Sequence, residues 1–207
     1  MTNRNYQKEL DEILKRLEGT PKLLIHSCCA PCSSYVLEYL SEYFSITDLF
    51  YNPNIDKKAE YDKRLQELER LISNMPFKNP VTLMPGRYET IEFYDAVKGF
   101  EKEPERGKRC EICFRLRLTE AAKAARETGA DYFTTTLSIS PLKDAELLNT
   151  IGEELAAEYG VKYLPSDFKK RNGYKRSIEL SKEYDLYRQD YCGCIFSYKE
   201  RHPEGEE

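Results

Sequence analysis

The sequence lacks the features that would place the protein in a membrane or send it out of the cell. It has no apolar run of roughly eighteen residues, and its first seventeen residues form a charged amphipathic pattern instead of a signal peptide. We therefore expect a cytoplasmic protein with no membrane partner. A positive net charge is also missing, because the formal net charge is −4. Any contact with nucleic acid must therefore come from a local basic patch.

The length and composition indicate one domain. The chain has 207 residues, of which 40% are hydrophobic and 33% are charged, so it can form one sizeable core. It contains no internal repeat and no low-complexity linker. We expect a single domain over residues 1–207, with residues 85–109 as an irregular insertion near the functional site. We also expect residues 198–207 to be a polar tail that frays.

Patterns typical of strands and helices alternate along the chain. Short apolar runs predict five strands, and amphipathic segments predict the helices around them. Ser33 or Ser34 is the expected cap of the helix after the first strand, and the helix after the fifth strand is expected to begin at Ser177. This alternation predicts a Rossmann-like three-layer α/β sandwich with a mostly parallel sheet and right-handed crossovers.

Seven cysteines fall into three tight groups. The groups are Cys28, Cys29 and Cys32 in HSCCAPC, Cys110 and Cys113 in RCEIC, and Cys192 and Cys194 in YCGC. Structural disulfides are rare in the reducing cytoplasm. The grouping therefore indicates a soft-metal site, an iron–sulfur cluster or redox-active thiols.

The first two groups together offer four thiolates and one further thiol. The HSCCAPC loop follows the first strand, where α/β sheets bind ligands, and it has no glycine for a nucleotide-binding turn. The spacing leaves structural zinc, an iron–sulfur cluster and redox thiols open. Adjacent Cys28 and Cys29 favour a cluster, since two neighbouring residues can hardly chelate one small tetrahedral ion. The additional Cys32 indicates a reactive thiol or a second metal.

The last cysteine group is a candidate electron relay. Cys192 and Cys194 enclose one glycine, so a disulfide between them would close a very small, strained and easily reduced ring. Two buried thiols with a packing role are the alternative. Asp190, two residues upstream, is a further candidate for catalysis, although such a residue is more often a cap or an ion-pair partner.

One basic run stands out in this acidic chain. Five cations lie within residues 169–176, namely Lys169, Lys170, Arg171, Lys175 and Arg176. Such a run is usually a solvated surface. Because this one follows a strand and leads toward YCGC, we expect it to contact phosphates beside the active site.

Five segments are distinctive when they are taken together. They are LLIHSCCAPCSSYV, FYNPNI with Tyr61 and Arg64 downstream, RCEICFRLRL, TTTLSISPLKD and DFKKRNGYKRSIELSKEYDLYRQDYCGCIFS. The last is the most specific, because it is a long run of unusual residue types in a fixed order. Over residues 22–197 the chain resembles the cobalamin-independent epoxyqueuosine reductases of the QueH family, with no departure from that family's cysteine pattern.

The resemblance implies a two-electron reduction on tRNA. It implies removal of the epoxide oxygen of epoxyqueuosine at the anticodon wobble position, which leaves an alkene and water and completes queuosine synthesis. The implied partners are tRNA that carries epoxyqueuosine and an electron donor of unidentified type.

The resemblance also implies roles for the cysteines. The implied ligands of a [4Fe–4S] cluster are Cys28, Cys29, Cys110 and Cys113. Cys192 and Cys194 would form a redox-active disulfide, and no cobalamin would be needed. The family is thought to hold a single iron beside the cluster, and we assign Cys32 to that iron as a hypothesis.

Two other functions fit the cysteine pattern. A zinc-containing, nucleotide-dependent tRNA-modifying transferase would bind ATP. A thiol–disulfide oxidoreductase would depend on Cys192 and would not depend on a metal.

Overall fold

The computed structural model describes residues 4–203, which form a five-stranded parallel sheet covered by helices. The strands are β1 (Lys22–Ser27), β2 (Ser45–Phe50), β3 (Val81–Pro85), β4 (Tyr132–Thr135) and β5 (Lys162–Tyr163). The helices are α1 (Tyr6–Leu14), α2 (Ala30–Leu40), α3 (Lys58–Asn74), α4 (Thr90–Ala96), α5 (Lys108–Thr128), α6 (Ala145–Tyr159), α7 (Gly173–Glu183) and α8 (Ile195–Arg201). The predicted three-layer α/β fold is confirmed, and the described sheet is parallel throughout.

The sheet is buried on both faces. Along β1, Leu24 packs into a core with α5 and α6, whereas Leu23 and Ile25 pack into a second core with α1 and α2. Successive side chains of a strand point to opposite faces, so an apolar run such as that of β1 is typical of a sheet with helices on both sides.

The strand order places a crevice at the end of β1. The order is β3-β2-β1-β4-β5, so the chain moves outward in one direction through β2 and β3 and then returns to the other side of β1. Ligands of open α/β sheets bind at such a reversal, beyond the carboxyl ends of the strands. Cys28 follows β1 directly at this point.

Helix α2 begins three residues before the predicted start, so the predicted serine cap is wrong. Cys29 is the N-cap residue, and Pro31 lies in the first turn, where a missing N–H costs nothing. The hydroxyls of Ser33 and Ser34 instead donate to the carbonyl oxygens of Cys29 and Pro31, both at 3.0 Å. Cys32 therefore lies within the first turn of the helix.

Helix α7 also begins early, at Gly173 instead of Ser177. A Cβ at Gly173 would lie 2.0 Å from the carbonyl oxygen of Phe168 and 2.4 Å from the ring of Tyr35 on α2. Close packing against α2 therefore fixes the start of α7, and only glycine fits there. The predicted fraying of the tail is wrong for residues 198–201, which belong to α8, while residues 204–207 lie outside the described residues.

The segment 85–109 contains α4 and the loop that leads into α5. Phe93 and Val97 at the end of α4 pack against Cys113 and Cys194. The segment therefore covers the second and third cysteine groups. That it is an insertion within a single domain stays a prediction. Among the helices within residues 4–203, none has the length and apolar composition needed to cross a bilayer.

A buried carboxyl on β2 makes the stability of the fold depend on pH. Asp48 is fully buried, and neither of its carboxyl oxygens has a hydrogen-bond partner. Burial raises its pKa from an ordinary 3.8 to about 7. Between these values the folded protein holds a proton that the unfolded chain has released, so the free energy of unfolding falls as the pH rises, by about 4 kcal/mol in total.

We expect the Asp48→Asn variant to lose this dependence. Denaturant unfolding at several values between about pH 4 and pH 8 should show the wild type losing stability relative to the variant as the pH rises. Burial lowers the pKa of nearby His26 to about 3, and its contribution cancels in the difference between the two proteins. Asp95→Asn, at an exposed position of α4, serves as the control, and parallel curves for all three proteins would contradict the assignment.

Candidate metal centre and active site

The first cysteine group forms a compact set of thiols at the end of β1. The Sγ atoms of Cys28, Cys29 and Cys32 all lie within 4.8 Å of one another, and those of Cys28 and Cys29 are 3.7 Å apart. Cys29 and Cys32 lie at the N-terminus of α2, where the helix dipole stabilises a thiolate. Three soft ligands at this spacing can hold a metal ion.

The second and third groups meet at the start of α5. Cys113 is buried and packs with Cys192 and Cys194, whose Sγ atoms are 3.5 Å apart. Cys110 is half-buried, and its Sγ accepts a hydrogen bond from the backbone N–H of Arg106 at 3.3 Å. All seven cysteines of the chain are free thiols in the structure.

Two cations, the buried Arg117 and the half-buried Lys143, lie among the thiols and were not assigned to the site from the sequence. Arg117 is only 3% exposed, and its Nε donates to the carbonyl oxygen of Cys113 at 3.3 Å. Burial alone would lower the pKa of Arg117 and Lys143, but neighbouring thiols raise both values. For Arg117 these thiols come from all three cysteine groups, so this guanidinium marks the point where the groups converge.

A third cation ties the last cysteine group to α3. Arg64 is 1% exposed, and its two Nη atoms donate to the carbonyl oxygens of Cys192 at 3.1 Å and Tyr191 at 3.3 Å. Its Nε binds Glu60 at 2.7 Å. Burial lowers the pKa of Arg64, but the charge of Cys29 and the hydrogen bond and charge of Glu60 together outweigh burial, so the pKa is raised and the guanidinium stays protonated. Arg64 therefore fixes the backbone before the Cys192 thiol and also faces the first group.

One thiol in each of two groups is poised to be a thiolate. Hydrogen bonds from Cys28 and Cys32 lower the pKa of Cys29 well below its usual value. A hydrogen bond from Cys194, assisted by the charge of Lys143, lowers the pKa of Cys192 in the same way. A thiolate is both the metal ligand and the nucleophile in disulfide chemistry, so each of these two thiols is suited to either role.

A cavity of about 320 Å³ opens beside the thiols. Cys28, Cys32 and Cys192 line it, together with Arg64, Arg117 and Lys143. Apolar side chains of residues 137–142, helix α7, residues 188–191, Glu105 and Arg201 form most of the remaining wall. Cys110 lines a neighbouring cavity of about 330 Å³, and Leu142 and Lys143 separate the two spaces.

Asp190 lies at the rim of the main cavity and not among the thiols. Its side chain is 69% exposed, and its Oδ2 lies 2.9 Å from Nε2 of His202. The carboxyl therefore has a hydrogen-bond partner in the residue that follows α8, and its predicted catalytic role stays a prediction.

Most cations of the basic run are paired with the protein's own carboxylates. Lys169 binds Asp167 at 2.7 Å, and Arg171 binds Asp11. The other pairs are Arg176 with Glu38 at 2.6 Å and Lys175 with Glu179 at 4.0 Å. Lys170 has no ion pair within residues 4–203. None of the five lines the main cavity, although Tyr174 and Ser177 of the same segment do.

The family model described as Epoxyqueuosine reductase QueH matches residues 23–200, which is most of the chain. The chain belongs to this family. The match confirms the family recognised from the sequence motifs, and it gives no support to a nucleotide-dependent transferase or a thiol–disulfide oxidoreductase. Residues 23–200 also contain all seven cysteines and the three cations that surround them.

Curated relatives agree with the QueH assignment. The chain is 44% identical over 200 residues to an epoxyqueuosine reductase QueH from Streptococcus pyogenes, which covers 94% of this chain and 78% of the relative. It is 46% identical to the QueH protein of Staphylococcus epidermidis, with 93% and 84% coverage. It is 38% identical to that of Thermotoga maritima, with 86% and 91% coverage.

Proposed function

We propose that this protein is an oxidoreductase that converts epoxyqueuosine to queuosine at the anticodon wobble position of tRNA, in the last step of queuosine biosynthesis. The family membership carries this proposal, and the convergence of three thiol groups on Arg117 beside a cavity supports it. Removal of the epoxide oxygen consumes two electrons and two protons and leaves an alkene and water. We place this reaction in the cytoplasm, where tRNA is modified.

The thiols fit the metals that the family resemblance implies. Cys28, Cys29, Cys110 and Cys113 would hold a [4Fe–4S] cluster, and Cys32 would bind an adjacent mononuclear iron, without cobalamin. The cysteine triad within 4.8 Å and the cations around it are suited to soft, negatively charged centres. When bound, the cluster would supply electrons one at a time, and the iron would act as a Lewis acid toward the epoxide oxygen.

Cys192 and Cys194 would deliver the electrons. Oxidation of two thiols to a disulfide releases two electrons and two protons, which equals what the epoxide consumes. The Sγ atoms are 3.5 Å apart, and the lowered pKa of Cys192 provides the thiolate that starts disulfide formation. The unidentified electron donor would then restore the thiols. In this proposal Asp190 positions the rim of the cavity through its contact with His202.

Lys143 would stabilise charge on the oxygen that leaves. Its side chain lines the cavity, and its raised pKa keeps the Nζ ammonium protonated. An ammonium aimed at a developing oxyanion lowers the activation barrier, and its Nζ can donate one of the two protons. The apolar walls of the cavity and a bound nucleoside would keep bulk water away from this atom.

We expect Lys143→Met to lower kcat about a hundredfold with little change in KM, because the ammonium acts on charge that develops in the transition state. Lys143→Arg retains the charge, so its kcat should fall less than about tenfold. Steady-state kinetics on epoxyqueuosine-containing tRNA measure both, and iron analysis checks that the metal is retained. A Met variant with wild-type kcat would remove Lys143 from the mechanism.

Anaerobic turnover tests the proposed function directly. Wild-type protein, a chemical reductant and epoxyqueuosine-containing tRNA are incubated, and the nucleosides are analysed by mass. We expect loss of one oxygen from the modified nucleoside. An unchanged mass with iron-loaded protein would contradict the proposal.

A further inference from the structure

A groove of about 380 Å³ adjoins the rim of the main cavity. It lies between the start of α3, the loop after α7 and helix α8. Asp190 and Tyr191 border both the groove and the cavity, so the two spaces adjoin at these residues. A chain that enters the cavity at this side would continue along the groove.

Aromatic rings line this groove. The rings of Tyr198 and His202 are 4.5 Å apart between centroids and tilted by 30°, and Tyr191 meets Tyr198 edge-on at 5.2 Å. Tyr187 lies further along the same wall. These rings are half-buried, so each is held in place and still has surface to offer. Half-exposed rings of this kind are the surfaces on which proteins stack unpaired bases.

Two exposed lysines lie against these rings. The ammonium of Lys57 is 5.0 Å from the ring centroid of Tyr198, and that of Lys63 is 3.4 Å from the ring centroid of Tyr187. Within the part of the chain that the structure describes, neither lysine forms an ion pair with a carboxylate. Both are therefore available for phosphate groups, unlike most cations of the basic run.

The acidic residues of the groove do not cancel these charges. Glu60 binds Arg64 at 2.7 Å and accepts a hydrogen bond from Tyr187 Oη at 3.1 Å. Asp190 lies 2.9 Å from His202. The charge of Glu60 is therefore compensated by Arg64, and the two lysines outnumber the remaining carboxylate, Asp190, in a protein whose net charge is −4.

We propose that the groove binds the tRNA nucleotides next to the target nucleoside, with bases on Tyr198 and His202 and phosphates at Lys57 and Lys63. A cavity of about 320 Å³ can enclose the flipped nucleoside but not its neighbours, which must leave over the rim. The inference rests on the proposed function. It assigns the RNA contacts nearest to the target nucleoside to the groove. Lys170 and Lys175 of the basic run would then contact the RNA more weakly and farther from that nucleoside.

Binding of a fluorescently labelled anticodon stem-loop RNA tests the phosphate contacts. We expect the Lys57→Ala, Lys63→Ala double variant to bind about tenfold more weakly, with a salt dependence that is shallower by roughly one to two in log–log slope. The control is Lys123→Ala, Lys162→Ala, which removes the same charge. Lys162 also lies over a tyrosine ring, Tyr132 at 5.3 Å, but at the amino ends of the strands. The affinity of this control for the RNA should fall no more than about twofold.

Substitution of Tyr198 tests the stacking. Tyr198→Ala should weaken RNA binding about tenfold, whereas Tyr198→Phe keeps the ring and should bind like the wild type. Rescue by phenylalanine separates stacking from a role of the hydroxyl, and thermal melting of each variant checks that α8 is intact.

The outcomes separate this inference from the proposed function. If the Lys57, Lys63 variant matches the Lys123, Lys162 control in affinity and salt slope, the groove assignment is wrong. A larger loss in a Lys170→Ala, Lys175→Ala variant would also overturn it. If wild-type protein binds the RNA through the groove but leaves epoxyqueuosine unreduced, the groove stands and the proposed reaction fails.

Discussion

Anaerobically purified Cys29→Ala protein is expected to be nearly colourless and inactive. The wild type should be brown and contain about four or five irons per chain with sulfide, and the variant should retain less than about one iron. Cys29 is 1% exposed and caps α2, and its pKa is lowered by hydrogen bonds from Cys28 and Cys32. Its loss therefore removes the thiolate of the first group that is most easily formed, and we expect activity to fall at least about a thousandfold.

The control for this variant is Ser34→Ala. Ser34 is also buried in the first turns of α2, and its hydroxyl donates to the carbonyl oxygen of Pro31 at 3.0 Å. Its removal costs about 1 kcal/mol of stability but leaves every thiol in place. The control should keep its iron and colour. A colourless, zinc-loaded wild type, or a Cys29→Ala protein with full iron content, would refute the cluster.

The second large effect is expected for Cys192→Ser. We expect this variant to keep its iron and visible absorption but to lose at least about a hundredfold in turnover, or about 2.7 kcal/mol of transition-state stabilisation. The reason is that a hydroxyl cannot form the disulfide with Cys194 that we propose as the electron relay. Metal analysis and activity on one preparation separate a relay from a ligand.

Ser197→Ala is the matched control for the relay. Its hydroxyl accepts from the backbone N–H of Cys192 at 3.3 Å, so the change disturbs the pair while keeping both thiols. We expect turnover of this variant to fall a few-fold at most. Alkylation and mass analysis should find two fewer free thiols after oxidation of the wild type and of Ser197→Ala, but no such loss in Cys192→Ser. Loss of iron from Cys192→Ser would instead make this cysteine a metal ligand.

The strand boundaries were predictable because the strand signals are local. A short apolar run over residues 22–27 lies between Pro21 and the cysteine loop, and this run forms β1. The starts of α2 and α7 were not predictable from local signals. Ser33 has good capping chemistry, but Pro31 and the turn at Cys29 already begin the helix. The start of α7 depends on the fit of Gly173 between Phe168 and Tyr35, which are distant in sequence.

Only part of the site could be predicted from the sequence. Cysteine is rare and its grouping carries meaning by itself, so the thiols could be found directly. Arg117 lies one turn after Cys113 on α5, and this spacing alone could have indicated that it faces the thiols. Arg64 and Lys143 come from other elements and reach the site only through the fold. The ion pairs of the basic run could not be predicted either, because its carboxylate partners, such as Glu38 and Asp11, are far away along the chain. Its contact with phosphates stays a prediction.

The close packing around Gly173 limits how the substrate pocket can differ among relatives. Helix α7 supplies Tyr174 and Ser177 to the cavity wall, and it is pressed against α2, the helix that begins with Cys29 and Cys32. A mutation that moved α7 outward to admit a larger nucleoside would also disturb the thiols.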